Sequence, residues 1–173
     1  MSAAYRVQQF IQAVGAWFWP EEVEEALLGR YLSPQGVDLF RTMPRYDQQH
    51  ALRVVRALHQ QGHEESDLLA AAWLHDVGKT GPQRGGVRLW HRVAVVLMRA
   101  FRPGLLEQVG QDKRKGWRRP FYVQEHHAAI GAELALQAGC SAATADLICR
   151  HEDPPSPADD PLLAALRAAD GIN

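Results

Sequence analysis

The chain has 173 residues, 46% of them apolar, which is enough for one sizeable core and gives no reason to expect two full domains. Nineteen basic side chains against twenty acidic ones leave a formal net charge of -1, so overall charge implies neither a nucleic-acid binder nor a membrane-surface protein. No apolar run approaches the ~18 residues of a membrane span. The N-terminus mixes Arg6, Gln8, Gln9 and Gln12 with apolar residues and has no small-residue cleavage pattern. Cys140 and Cys149, the two cysteines, fall in a segment that reads as one helix, where they suit small reduced core residues better than a disulfide. These features predict a cytoplasmic protein, a single domain over residues 1–173, with N-terminal helices over 1–43 and the working core over 44–173.

Every periodic stretch has helical spacing. Val7, Phe10, Ile11, Val14 and Phe18 mark one helix face. Pro20 with Glu21, Glu22, Glu24 and Glu25 reads as a helix start that stops at Gly29, and Ser33-Pro34 opens a further short helix. Pro44 begins a long helix to about Gln61, terminated by Gly62; Ser66-Asp67 caps the next, which is expected to run to Gly78. Residues 81–86 form a loop, Leu89 to Phe101 a helix closed by Pro103-Gly104, and about 110–120 a polar, basic loop. A helix over about 125–138 ends at Gly139, and Ser141 caps another through His151. Pro154, Pro155 and Pro157 then stiffen a connector to a last helix from Asp160-Pro161 to Asp170. No segment alternates as a strand would, and no internal repeat is visible, so the fold class is all-α.

Six titratable residues lie on apolar helix faces, where a polar group is costly unless paired. His50 shares its face with Val54, Ala57 and Leu58; His75 follows Leu68, Ala71 and Ala72; Asp76 follows Leu69, Ala72 and Trp73. His151 lies under Leu147 and Ile148, Asp170 under Leu163 and Leu166, and His127 precedes Ile130 and Leu134. One core histidine is ordinarily satisfied by backbone, but four imidazoles and two carboxylates together are most economically satisfied by a divalent cation.

These pieces resemble the HD superfamily of metal-dependent phosphohydrolases, whose pattern is a His, a His-Asp pair, often two further His residues, and a late Asp. The resemblance runs from Tyr46 to Asp170 and includes Leu74-His75-Asp76-Val77-Gly78-Lys79, His127-Ala-Ala-Ile-Gly-Ala-Glu133, Ile148-Cys-Arg-His151-Glu152 and Leu166-Arg-Ala-Ala-Asp170. It implies a helical bundle in which His50, His75, Asp76 and Asp170 hold one metal. His127 and His151 would add ligands for a second, with Asp76 bridging, and His126 is the alternative to His127. Mixed imidazole and carboxylate ligands suit one or two ions of Mn, Fe, Co, Ni or Zn. The implied chemistry is hydrolysis of a phosphomonoester or phosphodiester by metal-activated water. Asp76 and Lys79 are the expected catalytic residues, with Lys79, Arg53, Arg118 and Arg119 meeting the substrate phosphate.

An insertion over 81–120 separates the His-Asp pair from His127. Residues 84–119 carry ten basic side chains (Arg84, Arg88, Arg92, Arg99, Arg102, Lys113, Arg114, Lys115, Arg118, Arg119) against only Glu107 and Asp112. A basic lobe beside the site would attract an anionic substrate, with Trp90 or Trp117 stacking a base; a solvated basic face, nucleic acid or a membrane surface are other readings of the same residues. A small phosphate-containing substrate, above all a nucleotide, is the expected partner. The alternatives in function are a di-iron oxygenase of the same fold and a non-catalytic metal-containing module that senses nucleotides or anions. His59, His63 and His91 read as surface or cap residues.

Overall fold

The structure, a computed structural model, describes Val23 and residues 25–80, 119–157 and 160–172. The expected helices over Val7–Phe18 and Leu89–Phe101, the basic loop up to Arg118, Trp90, Trp117, His91 and the side chain of Arg119 lie outside the described residues. Within them seven α-helices follow one another, with no strand: α1 (Glu25–Gly29), α2 (Pro34–Arg41), α3 (Arg45–Gln60), α4 (Ser66–Leu74), α5 (Arg119–Gln137), α6 (Ala142–Arg150) and α7 (Pro161–Ile172). A 3-10 turn, Val77–Lys79, follows α4. No described helix is long and apolar enough to cross a membrane.

Helix α4 is the axis of the core. Its residues Leu68 to Leu74 are all buried, so it is enclosed on every side, as expected of a helix without a polar face. Nine residues are too few for a helix to persist on propensity alone, so α4 exists because α3, α6 and α7 pack around it. Trp73 is fully buried and meets Phe40 of α2 edge-on, ring centroids 5.4 Å apart. Contrary to the sequence expectation, α4 ends at Leu74 and not at Gly78. His75 is its C-cap, Asp76 takes φ -97° and ψ 0°, and the chain turns into the 3-10 segment.

Two helical hairpins, α3–α4 and α5–α6, share a design that the sequence did not disclose as a repeat. In each, the first helix closes with a glycine at positive φ, Gly62 at 89° and Gly139 at 84°. Both closures are completed by paired carbonyl contacts: His63 N to Leu58 O and Gly62 N to His59 O in one, Cys140 N to Ala135 O and Gly139 N to Leu136 O in the other. The same number of residues separates His50 from Gly62 and His127 from Gly139. The second helices, α4 and α6, are each nine residues long and each is C-capped by a histidine, His75 and His151. The starts of α4 and α6 are joined: Ser141 donates its hydroxyl to Asp67 Oδ1, accepts from Thr144 N at 3.0 Å, and Thr144 Oγ1 donates to Asp67 Oδ1 at 3.0 Å. The cap and its partners stabilise this end by about 1 kcal/mol or more.

Other expectations need correction in detail. Helix α5 begins at Arg119, inside what the sequence suggests is loop, and among its described side chains the buried positions are Val123, His127, Gly131, Ala132 and Ala135; Ile130 and Leu134 are only partly buried. Small residues form this face because α5 packs closely on α6 and on the 3-10 turn. Cys140 sits in the turn before α6 and Cys149 is exposed on it, so they neither share one helix nor both belong to the core.

Among the described glycines, the closest approach of backbone to backbone is between the 3-10 turn and α5. A Cβ on Gly78 would stand 2.0 Å from His127 O and 2.7 Å from Gly131 N, while one on Gly131 would stand 3.2 Å from Gly78 N. Both obstacles at Gly78 are backbone, which cannot swing aside. Gly78→Ala is therefore expected to cost about 3 kcal/mol or more by forcing α5 off the turn, whereas Gly29→Ala, with nothing within 4 Å, leaves stability nearly unchanged. Urea unfolding midpoints of the two variants against the parent check this; equal midpoints would contradict the close approach.

Candidate metal centre

The hairpin register brings four imidazoles into a continuous row. Ring centroids lie 5.2 Å apart for His50 and His75, 5.3 Å for His75 and His151, and 5.3 Å for His151 and His127. The row follows the packing order α3, α4, α6, α5. His75 and His127 are fully buried and His151 nearly so, while His50 is 12% exposed.

At the helix ends the ring orientations are fixed by backbone. His75 Nδ1 donates to Ala72 O at 3.0 Å and His151 Nδ1 donates to Ile148 O at 2.7 Å, the same three-residue reach in both helices. Each bond commits Nδ1 as the donor and turns Nε2 inward.

Asp76 occupies the middle. Its Oδ1 lies 3.7 Å from His75 Nε2, 3.6 Å from His127 Nε2, 4.0 Å from His151 Nε2 and 2.6 Å from Lys79 Nζ. Asp170, on α7, accepts from His50 Nε2 at 2.7 Å and lies 3.4 Å from His75 Nε2. Burial would raise the pKa of Asp76, but the ammonium of Lys79 and then His75, His127 and His50 outweigh it and hold this carboxyl well below the usual range. Burial of Asp170 is likewise overcome, by the hydrogen bond from His50 and the nearby ring of His75, and its carboxyl is also strongly depressed. His75 is driven toward neutrality by burial, yet Asp76 and Asp170 prevail and lift it to about 9. His151 goes the other way: burial, with His75 beside it, lowers it to about 4, so its Nε2 carries a lone pair at neutral pH.

These donors fit a metal. Ligand atoms of His50, His75 and Asp76 form one compact group and those of Asp76, His127 and His151 a second, with all atoms of a group within 4.8 Å of one another. Bonds of about 2.1 Å to imidazole nitrogen or carboxylate oxygen place neighbouring donors roughly 3.0–3.5 Å apart, close to the observed separations of 3.4 and 3.6 Å. Buried His75 Nε2 has no well-formed hydrogen bond, the condition a metal would remedy. The His50–Asp170 hydrogen bond is shorter than two ligands of one ion allow and would open by a few tenths of an ångström.

A family model for the HD domain matches residues 48–172. This chain belongs to the HD domain family. No curated protein and no solved structure matches it significantly.

Within this HD domain all six residues singled out in the sequence converge. Position 127, not 126, faces the centre: His127 is buried against Asp76, while His126 is exposed and lies tilted against Tyr122, ring centroids 4.2 Å apart. Lys79, expected to meet substrate, has its ammonium on Asp76 Oδ1 and is 14% exposed. Arg53 lies on α3 one turn beyond His50 and is half-buried. Glu152, which the sequence pattern does not single out, places its Oε1 3.7 Å from His127 Nε2. The available signal was its place after His151, matching that of Asp76 after His75.

A metal ligand must be deprotonated, and His75 at about 9 is protonated at neutral pH in the metal-free centre. Metal entering the HD domain is therefore expected to expel a proton from His75 at pH 7, with the release vanishing as pH rises through 9. Calorimetric titration with Mn(II) in buffers of different ionisation enthalpy measures that release. Proton-neutral binding at pH 7 would mean that His75 is already unprotonated.

Proposed function

We propose that this HD domain is a metal-dependent phosphohydrolase acting on a phosphomonoester or phosphodiester, with a nucleotide as the substrate class. The observation that carries the reading is the sharing of Asp76 by two histidine-containing donor groups. His50, His75, Asp76 and Asp170 would hold one divalent ion, and Asp76, His127 and His151 a second, with Asp76 bridging. Such ions, of the Mn, Fe, Co, Ni or Zn class that mixed nitrogen and oxygen donors favour, supply Lewis acidity toward phosphoryl oxygens and lower the pKa of water.

The chain's own groups supply position and charge. Nδ1 bonds to Ala72 O and Ile148 O prevent His75 and His151 from rotating, so the inward nitrogens are aimed before any ligand arrives. Gly78 and Gly131 let His127 approach Asp76 from the opposite helix. Lys79 neutralises Asp76 in the metal-free centre. With Asp76 committed to metal, the ammonium becomes available to an anionic substrate as a point charge at the mouth. Arg53 is the second candidate for phosphate contact. The basic segment ending in Arg118 and Arg119 enters the described structure at the first turn of α5, the helix that carries His127, and this connection supports a role in attracting anions.

Asp76→Ala is expected to abolish phosphatase and phosphodiesterase turnover together with stoichiometric metal content. Lys79→Ala should retain metal and lose ~10–100-fold in kcat/KM, the worth of one charge-assisted contact. Elemental analysis alongside a screen of mono- and diester nucleotides with Mn(II) or Co(II) checks both. Substrate-dependent oxygen uptake by the iron-loaded protein, with no phosphate released from any ester, would replace hydrolysis by oxygenation; full metal content and turnover in Asp76→Ala would refute the site.

A further inference from the structure

The two donor groups are not equally furnished. The first has His50, His75 and the shared Asp76, and Asp170 adds a carboxylate close to both imidazoles, 2.7 Å from His50 Nε2 and 3.4 Å from His75 Nε2. The second has His127, His151 and Asp76, with no counterpart to Asp170 among the residues so far given a role. We propose that Glu152 is that counterpart, the terminal carboxylate ligand of the second ion.

Three independent features support the assignment. Glu152 Oε1 lies 3.7 Å from His127 Nε2, as near as Asp76 Oδ1 lies to His75 Nε2, also at 3.7 Å. That spacing is a few tenths of an ångström wider than two donors on one ion would show, and too long for a hydrogen bond between them. The hairpin correspondence gives the second feature: α4 and α6 have the same length, each is capped by a histidine pinned through Nδ1, and each histidine is followed by an acid, Asp76 or Glu152.

Charge supplies the third. Two divalent ions bring four positive charges against Asp76 and Asp170, and neutral imidazoles cancel none of the excess. A third carboxylate lowers it without removing the attraction for an anionic substrate. The two terminal carboxylates also share a degree of solvent contact, 33% exposure for Asp170 and 38% for Glu152, in contrast to the 5% of Asp76. The bridging acid is sealed inside and the terminal acids stand at the mouth. From there, each can adjust its denticity or yield a coordination position when substrate oxygen arrives.

The proposal rests on the binuclear reading above, and its test separates the two. Mn(II) binding to the full chain is followed by calorimetry and by low-temperature electron paramagnetic resonance, which distinguishes an exchange-coupled pair from a lone ion. In the parent protein two ions and a coupled spectrum are expected. Glu152→Gln should keep one tight ion, weaken the second ~10-fold or more, and convert the coupled signal to that of a single ion at limiting Mn(II). Glu152→Asp, which retains the charge on a shorter arm, should recover part of that affinity. The adjacent acid is the control, and Asp153→Asn should leave both ions unchanged. Two ions bound by Glu152→Gln with parent affinity and an unaltered coupled spectrum would overturn the role of Glu152 and leave the binuclear centre standing. A single ion in the parent protein, insensitive to His127→Ala, would overturn the binuclear reading and this proposal with it.

Discussion

A carboxylate removed from water needs positive charge or hydrogen-bond donors around it, and Asp76 is where this chain meets that demand most severely. Its side chain is 5% exposed, and Lys79 Nζ with the inward nitrogens of His75 and His127 lies within 3.7 Å of one oxygen, His151 Nε2 standing at 4.0 Å with its lone pair. Those groups come from the end of α4, the 3-10 turn, α5 and the end of α6. Apolar burial along α4 supplies the driving force for packing, but burial has no preferred direction. The need to surround Asp76 favours the arrangement in which these segments end, turn or cross at one point.

That convergence depends on backbone as much as on charge. His127 can reach Asp76 from α5 only because the helix and the 3-10 turn touch where neither has a side chain, at Gly78 and Gly131. The break after Leu74 is equally necessary. A continuous helix through Gly78 would carry Asp76 onward around the helix surface, whereas the observed turn places His75 and Asp76 side by side at the core's edge.

Most of the fold was legible because it depends on local chemistry. Glycines at 62 and 139, the Ser33 and Ser141 caps and the prolines at 34, 44 and 161 mark element boundaries through φ preferences and missing donors, and the structure uses each at or next to the expected position. The six polar residues on apolar faces were legible for the same reason. What could not be read depends on partners distant in sequence. Ile130 and Leu134 look like the buried face of α5 because they are large, but the close neighbour on the other side selects Gly131 and Ala135. Gly78 resembles a helix terminator, and its real constraint, the carbonyl of His127, lies far along the chain. The correspondence of the two hairpins is carried by spacing and capping, with few matching residues to reveal it, and the place of Glu152 depends on that correspondence.

The clamp of Asp67, Ser141 and Thr144 has a consequence for how such a chain can change over evolutionary time. It fixes the starting points of α4 and α6 against each other, and nine residues later each helix delivers a histidine. One residue added to or removed from either helix would turn its histidine by about 100° and shift it ~1.5 Å along the axis, so the two segments tolerate substitution but not a change of length. Changes of length compatible with the centre therefore have to fall outside these two helices.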